Sequence, residues 1–184
     1  MEIESTAVET QLVEQAQRGD REAFCQLVTL YRERVIDVVY RMCGNPALAE
    51  DAAQITFLRA WQHLSDYHPR AAFRSWLYRI AVNAALDMLR RERPTAPVDD
   101  LNLKSPEPQP EAAYEQHEQT RLVRQAVLAL PEGSRAALVL REYHGLSYRE
   151  IADTLDISPG TVMSRLNYAR TKLLETLAPI LEVK

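Results

Sequence analysis

The chain has 184 residues, with 22 lysines and arginines against 26 aspartates and glutamates, and a net charge of −4 at pH 7. This acidic balance excludes a protein that coats nucleic acid non-specifically, so any DNA contact must come from local basic patches or from a partner. No apolar run is long enough to span a membrane and no charged-then-apolar leader is visible, which predicts a cytoplasmic protein without direct membrane insertion.

Residues 1–94 are predicted to form one helical domain, because helical periodicity is interrupted there only by short turns rich in glycine, asparagine and proline. Its predicted helices are Glu9–Arg18, Arg21–Arg41, Leu48–His63 and Phe73–Arg93. The second and third helices carry apolar stripes that we expect in the core, formed by Phe24, Leu27, Val28, Tyr31, Val35, Val38, Val39, Met42, Ala52, Ile55, Phe57, Leu58 and Trp61.

The two cysteines, Cys25 and Cys43, lie in the apolar stretches of this domain without a C-x-x-C pattern. We expect buried packing residues rather than a disulfide. The histidines have no metal-ligand spacing, and the chain has no nucleophile–base pair or glycine-rich phosphate loop. The sequence therefore predicts no catalytic residue, no metal and no cofactor.

The last helix of this domain differs from the others. The stretch from Arg70 to Arg93 contains six arginines but only two acids, and Phe73, Trp76 and Tyr78 are interleaved with the arginines. Cationic side chains follow a phosphate backbone and aromatic faces accept unstacked bases, so this composition is typical of a single-strand platform. The alternative is that the aromatic residues belong to the core and the arginines are solvated. We expect part of each, with Trp76 mostly in the core and the arginines mostly on the surface.

Residues 95–113 are rich in proline and acids, with prolines at positions 97, 106, 108 and 110. Such a segment cannot bury enough apolar surface to order itself, so we predict a flexible linker that divides the chain. Its acidity is either plain solvation or suits a basic channel.

Residues 114–184 are predicted to form a second helical domain. A helix from Tyr114 to Leu130 is followed by one that begins at Pro131 and ends at Gly145. The predicted fold class is therefore all-α, with two small helical domains joined by the linker.

The segment Leu146–Leu173 reads as two helices joined by a short turn. Ser147 and Glu150 have the spacing of a capping box, and Ser158 followed by Pro159 marks a second helix start. Two residues separate the helices, which is the arrangement of a helix-turn-helix.

The second helix of this motif has two distinct faces. Its inward face is formed by Val162, Leu166, Ala169 and Leu173. Its outward face carries short or planar hydrogen-bonding side chains suited to a major groove, namely Thr161, Ser164, Asn167, Tyr168 and Thr171, with Met163 on the edge. Arg165, Arg170 and Lys172 flank this face and can neutralise phosphates. The alternative is a merely solvated face.

Three blocks together resemble extracytoplasmic-function sigma factors, the two-domain branch of the sigma-seventy family. They are AEDAAQITFLRAW (Ala49–Trp61), FRSWLYRIAVNAALDMLRR (Phe73–Arg91) and the segment Leu130–Arg170. The order of these blocks around an acidic, proline-containing linker is highly specific, whereas neither half alone would be.

The resemblance implies a sigma factor that binds core RNA polymerase and directs promoter-specific initiation. The first domain would bind the coiled coil of the largest polymerase subunit through Asp51, Gln54, Arg59 and Trp61. It would capture the melted minus-ten strand, with the Ser65–Phe73 loop holding a flipped base, through Tyr67, Phe73, Arg74, Trp76, Tyr78, Arg79, Asn83, Arg90 and Arg91.

The resemblance also implies that the second domain rests on the polymerase flap and reads the minus-thirty-five duplex. The DNA contacts would come from Ser158, Thr161, Met163, Ser164, Arg165, Asn167, Tyr168 and Lys172. An anti-sigma factor would hold the protein inactive, in the cytoplasm or at the inner membrane face.

The chain departs from the family pattern at three positions. Ile55 stands where an acid is usual, and Met163 and Tyr168 stand where basic residues are common. Ile55 and Met163 keep open a decoy that binds polymerase without starting transcription. A stand-alone helix-turn-helix regulator is the main alternative, although the acidic net charge and the basic patch of the first domain count against it.

Overall fold

The computed structural model describes residues 2–68, 72–92 and 111–181, and within these ranges every regular element is a helix. The main helices, in chain order, are α1 Glu2–Gln17, α2 Arg21–Cys43, α3 Pro46–His63, α4 Phe73–Glu92, α5 Glu111–Leu128, α6 Glu132–Leu138, α7 Tyr148–Leu155 and α8 Pro159–Leu181. A 3₁₀ turn, Leu64–Asp66, follows α3, and a π-helical turn, Val139–Tyr143, follows α6. The all-α prediction is confirmed.

Local caps set the ends of the helices in the first domain. The Asp20 carboxylate accepts hydrogen bonds from two backbone N–H groups of the first turn of α2, and Asn45 does the same for α3. Helix α2 ends at Gly44, whose φ of +74° is the left-handed conformation that glycine adopts without a Cβ penalty. Pro46 occupies the first turn of α3, where its missing N–H costs nothing.

Helix α2 is the centre of the first domain and packs against α1, α3 and α4. Its buried stripe is close to the predicted one and includes Leu27, Tyr31 and Val35. Helices α3 and α4 pack against each other, and both carry buried small side chains that are at most 3% exposed: Ala49, Ala52, Ala53, Ala60, Ala81, Ala84 and Ala85. Alanines allow close approach of the two backbones, and this approach fixes the position of α4.

Two core predictions for this domain are wrong. Leu58 is 59% exposed, because the alanine-rich face of α3 takes the inward position and Leu58 lies on the opposite side. Cys25 is exposed and Cys43 is half-buried. Cys25 lies between Ala23 and Leu27, which both point into the core, so its side chain is directed away from it.

The second domain is built around α8, which packs against α5, α6 and α7. Val162, Leu166 and Ala169 are fully buried, as their spacing predicts. The helix predicted from Pro131 to Gly145 is α6 continued by the π-helical turn. The first predicted helix of the domain begins at Glu111 rather than Tyr114, so three residues of the predicted linker are helical and the rest of it lies outside the described residues.

The two domains pack against each other. Helix α7 lies against α4, while α5, α6 and the π-helical turn contact α2. Buried side chains form one continuous cluster from the first domain into the second, including Leu77, Tyr78, Leu140 and Ile151. In this arrangement the two halves of the chain share a core.

Candidate nucleic-acid and polymerase interfaces

The helix-turn-helix is capped as the sequence predicts. The Ser147 hydroxyl accepts a hydrogen bond from the Glu150 N–H at 3.2 Å, and the Glu150 carboxylate accepts from the Ser147 N–H at 2.8 Å. Helix α7 ends at Leu155 and is followed by its C-cap Asp156, the one non-glycine residue of the described chain with a positive φ, at +54°. Ser158 caps α8 by accepting from the Thr161 N–H at 3.1 Å. These caps fix where α8 begins relative to α7.

The outward face of α8 is open. Ser158, Ser164, Asn167 and Lys172 are exposed, and Met163 and Tyr168 are 52% and 48% exposed. Part of the predicted set is engaged within the protein: the Ser164 hydroxyl donates to the Thr161 carbonyl at 3.0 Å, and Lys172 pairs with Glu175 at 3.2 Å. The face therefore offers an amide, an aromatic ring and a thioether to a groove.

Arg165 sits differently from the other predicted DNA residues. It is half-buried, and its guanidinium lies so close to Gly133 of α6 that a Cβ on this glycine would be 2.9 Å from the Arg165 Cζ. The absence of a side chain at Gly133 thus allows Arg165 to pack between α6 and α8. It is placed at the edge of the outward face rather than at its centre.

The aromatic residues predicted for the minus-ten strand are mostly interior. Tyr67, Phe73 and Tyr78 are 8%, 4% and 1% exposed, so their rings cannot stack on a base in this conformation. Trp76 is half-buried and packs against Tyr67 and Phe73, with ring centroids 5.1 and 5.5 Å apart. The spacing of these aromatics is that of a core contact. Burial also raises the pKa of the Tyr67 and Tyr78 hydroxyls.

The polar residues of α4 remain on its surface. Asn83, Arg90 and Arg91 are exposed. Arg74 and Arg79 reach across to the second domain, where they pair with Glu150 at 2.5 Å and with Asp156 at 2.9 Å. The loop predicted to hold a flipped base lies partly outside the described residues, which exclude Pro69, Arg70 and Ala71.

His144 lies at the centre of the contact between the domains. Its side chain is 7% exposed, with Nε2 3.2 Å from the Asp37 carboxylate and Nδ1 3.5 Å from the Tyr78 hydroxyl. Burial lowers its pKa, and the neighbouring arginines Arg41, Arg34 and Arg74 lower it further, while Asp37 opposes them. Burial of the imidazole therefore favours its neutral form.

Helix α3 presents a mixed polar and apolar face. Asp51 and Gln54 are exposed, and Leu58 follows them one turn later on the same side of the helix. Arg59 instead pairs with Asp87 of α4 at 3.0 Å, and the Trp61 ring packs against Phe24. Leu58 was missed as a surface residue, although its spacing of seven from Asp51 and four from Gln54 places it on their face.

A second apolar surface was not predicted from the sequence. It is a groove of about 420 Å³ between α8 and the segment after α6, lined by Leu138, Glu142, Arg170, Leu173, Leu174, Leu177 and Ala178. Leu174 is 69% exposed there. The signal was the leucine repeat at positions 173, 174 and 177, which continues the apolar stripe of α8 beyond the body of the domain.

Two kinds of feature, metal clusters and membrane-spanning helices, are absent from the part of the chain that the structure describes. No cluster of three or more histidine, cysteine, aspartate or glutamate side chains there could hold a metal ion. None of the described helices is both long enough and apolar enough to cross a membrane.

Known families account for both domains. The profile of sigma-70 region 2 matches residues 27–95, and that of sigma-70 region 4 matches residues 120–173. The chain is 36% identical to the RNA polymerase sigma-H factor of Pseudomonas aeruginosa, across 93% of this chain and 94% of that protein. The chain belongs to the sigma-70 family of RNA polymerase sigma factors.

Further comparisons place this sigma factor in the extracytoplasmic-function (ECF) branch. It is 33% identical to the ECF RNA polymerase sigma factor SigW of Bacillus subtilis, across 90% of this chain and 94% of the relative. Among solved structures it resembles CnrH in complex with the cytosolic domain of CnrY, with a TM-score of 0.72 and 28% identity over 94% of this chain and 98% of that one. The fold also matches RpoE of Bartonella quintana, solved with the anti-sigma factor NepR, at a TM-score of 0.67 and 20% identity over 84% of this chain and 96% of that one.

The family gives the chain its general role. As an ECF sigma factor it is a transcription initiation factor, and the resemblance inferred from its three sequence blocks is confirmed.

Proposed function

We propose that this sigma factor binds core RNA polymerase, recognises a two-element promoter and itself makes or breaks no covalent bond. The observation that carries the proposal is the presence, in one chain, of a capped helix-turn-helix with an open polar face and of a helix with an arginine-rich surface. The first suits duplex DNA and the second suits a melted strand. Polymerase supplies the chemistry, and this chain supplies the promoter address.

The polymerase contacts are assigned to two surfaces. Asp51, Gln54 and the exposed Leu58 form the face of α3 that would bind the coiled coil of the largest subunit. Arg59 and Trp61 make contacts within the protein and would support that face from behind. The apolar groove beside Leu174 would receive the flap, since an exposed apolar patch of this kind is typical of a protein-binding surface.

The DNA contacts are assigned to α4 and α8. Asn83, Arg90 and Arg91 are exposed and would hold the minus-ten strand, joined by Arg74 and Arg79 when their acidic partners are displaced. Asn167, Met163 and Tyr168 would enter the major groove of the minus-thirty-five element. A thioether and an aromatic ring favour contact with thymine methyl groups over a bidentate contact with guanine.

Control by an anti-sigma factor completes the proposal. CnrH, similar to this chain over both domains, was solved in complex with the cytosolic domain of another protein. An equivalent partner would keep this chain away from polymerase until a signal releases it. Because core polymerase is its partner, the chain would act in the cytoplasm, or be held at the inner membrane face by that inhibitor.

Run-off transcription with purified core polymerase on genomic fragments tests the proposal. Transcripts made with and without the protein would be sequenced to map their start sites. We expect new start sites that share two upstream elements at a fixed spacing. As a control, Asp51→Ala/Leu58→Ala should weaken core binding while leaving duplex binding by the second domain unchanged.

Two results would contradict the proposal in different ways. A stable complex with core polymerase but no new transcripts would point to the decoy. Tight, specific duplex binding without any affinity for core polymerase would favour the stand-alone regulator, which is expected to bind palindromic sites as a dimer.

A further inference from the structure

Two ion pairs fasten the helix-turn-helix to the basic helix of the first domain. Arg74 pairs with Glu150 and Arg79 with Asp156, at 2.5 and 2.9 Å. The two arginines are five residues apart on α4, and the two acids flank α7 at its first and last turns. Helix α7 therefore lies along α4 with one carboxylate at each end.

The two carboxylates accept hydrogen bonds from guanidinium donors that could otherwise bind a phosphate. A guanidinium group presents its N–H donors in one planar fork, which binds a carboxylate or a phosphate oxygen in the same way. An arginine that donates to Glu150 or Asp156 cannot direct the same donors to a nucleic-acid backbone. The pairs thus offset the charge of two cations on the surface of α4.

The positions of both acids are fixed by the backbone of the motif. Glu150 belongs to the capping box of α7, where its second carboxylate oxygen accepts from the Ser147 N–H. Asp156 is the left-handed C-cap residue of the same helix. The Glu150 carboxylate is therefore held in place by the capping box, whereas for Asp156 the left-handed backbone sets the position from which its carboxylate reaches Arg79.

We propose that Glu150 and Asp156 form an intramolecular latch that mimics DNA phosphates and holds the sigma factor closed. In the closed chain the acids cover the arginines of α4, and single-stranded DNA gains access to them when the domains separate. The inference deepens the proposed function, because it rests on the role of α4 in strand binding and adds that the second domain inhibits this role.

The pairs are suited to a reversible latch. Arg79 and Asp156 have side chains 44% and 81% exposed, whereas Arg74 and Glu150 are about one third exposed. Exposed pairs of this kind each shift an equilibrium by up to about fivefold, so the two together bias closure by at most about 25-fold. Polymerase binding could overcome a bias of that size.

The double variant Glu150→Gln/Asp156→Asn tests the latch without damaging the motif. Glutamine at this position preserves a capping box, and asparagine tolerates the left-handed conformation. Domain separation would be measured in the full chain by energy transfer between dyes at Cys25 and at Thr176→Cys, in a Cys43→Ser background. Binding of a mixed-sequence single-stranded oligonucleotide would be measured by fluorescence anisotropy without polymerase.

The matched control is Asp153→Asn/Glu118→Gln, which removes the same charge from the same domain, leaves both ion pairs of the latch intact and frees no residue assigned to DNA. We expect the latch variant to shift towards longer distances and to bind the oligonucleotide about three- to tenfold more tightly than the control. Equal distances and affinities in the two variants would overturn the latch. Longer distances with equal affinity would overturn it too, since closure would then not compete with the strand.

The distance measurement also separates this inference from the proposed function. It needs neither polymerase nor a promoter, so it reports on the latch even if wild-type run-off transcription fails. Failed transcription together with a latch-dependent distance would contradict the assigned role in initiation and leave closure by Glu150 and Asp156 established.

Discussion

Helices α4 and α8 carry the two DNA-binding surfaces of the chain, and they differ in availability. The outward face of α8 is open, with Met163 and Tyr168 about half exposed. On α4, Arg74 and Arg79 form ion pairs with acids of the second domain. The comparison teaches that a polar, cationic helix face in the sequence does not by itself show whether a ligand can reach it.

The difference follows from how each helix is supported. Helix α8 is packed on one side by α5, α6 and α7, all from its own domain, so its other side faces outward. Helix α4 is packed by α2 and α3 of its own domain and also by α7 of the second. It lies between the domains, and its surface is therefore governed by their closure.

The largest expected effect comes from Gly44, the C-cap residue of α2, where α2 contacts α5 of the second domain. Its φ is +74°, and a Cβ there would lie 2.5 Å from the Leu128 Cδ1 in the second domain. We expect Gly44→Ala to reduce the free energy of unfolding by about 2–4 kcal/mol, combining left-handed strain with overpacking. Urea denaturation measures this loss.

Gly19→Ala is the matched control for this prediction. Gly19 also has a positive φ, at +93°, but has no heavy atom within 4 Å of an added Cβ. Gly19→Ala should therefore reduce the free energy of unfolding only by the backbone strain, about 1–2 kcal/mol. If the two variants lost equal stability, the Gly44–Leu128 contact would not contribute to domain packing.

Met163→Arg tests the exposed face of α8 in the comparison with α4. Because Met163 is exposed on α8, we expect its replacement to leave the stability and the domain distance unchanged. It should alter discrimination at one base pair of the minus-thirty-five element by about 1–3 kcal/mol. Binding to a panel of promoter variants measures this, and an unchanged base preference would remove Met163 from the reading surface.

Ser147→Ala acts on both surfaces, because the capping box supports the helix-turn-helix and also positions Glu150. Loss of an N-cap side chain costs about 1 kcal/mol, so a small drop in the thermal midpoint is expected together with weaker duplex binding. Calorimetry and duplex titration would follow the two effects. Ser158→Ala is the control, because it removes the cap of α8 but no contact of the latch. If the domains opened further in Ser158→Ala than in Ser147→Ala, the capping box at Ser147 would not be what positions Glu150 for the latch.

The smallest expected effect is a pH dependence of closure. Burial lowers the pKa of His144 below its ordinary value of 6.5 in the closed chain, and separation of the domains would restore that value. Closure is thus favoured above about pH 6.5 and weakened as the pH falls, since the open chain binds the proton more readily. The charged and titratable groups facing the imidazole are Asp37, Arg41, Arg34, Arg74 and Tyr78.

Energy transfer between the domains, measured from about pH 8 to 5.5, where carboxylates stay ionised, tests this prediction. We expect longer distances at the acidic end and a flatter profile for His144→Gln. A wild-type profile that closed further on acidification would show that the pair with Asp37 outweighs burial.

Much of the architecture could be predicted from the sequence, because it depends on local signals. The capping box at Ser147, the N-cap at Ser158 and the inward face of Val162 and Leu166 each involve residues within a few positions of one another. Caps and helical periodicity act over one or two turns, so they can be read without knowledge of the fold. The family match confirms the sigma-factor role inferred from the three sequence blocks.

The exposure of individual side chains was harder to predict. Leu58 and Cys25 were expected in the core, and the aromatics of α4 were weighed as a platform for bases. A helical stripe shows that a face is apolar, but several turns of α3 and α4 have apolar residues on more than one side. Which side turns inward depends on the neighbouring helices, and on α3 and α4 it is a side rich in buried alanines.

The sequence by itself determined that this protein is an all-helical sigma factor with a capped helix-turn-helix and a basic helix. Tertiary structure alone decided that Glu150 pairs with Arg74 and Asp156 with Arg79, and that the His144 side chain is buried between the domains. The members of each pair are more than sixty residues apart along the chain and belong to different domains. No local pattern encodes such pairs, because they arise from the packing of α7 against α4.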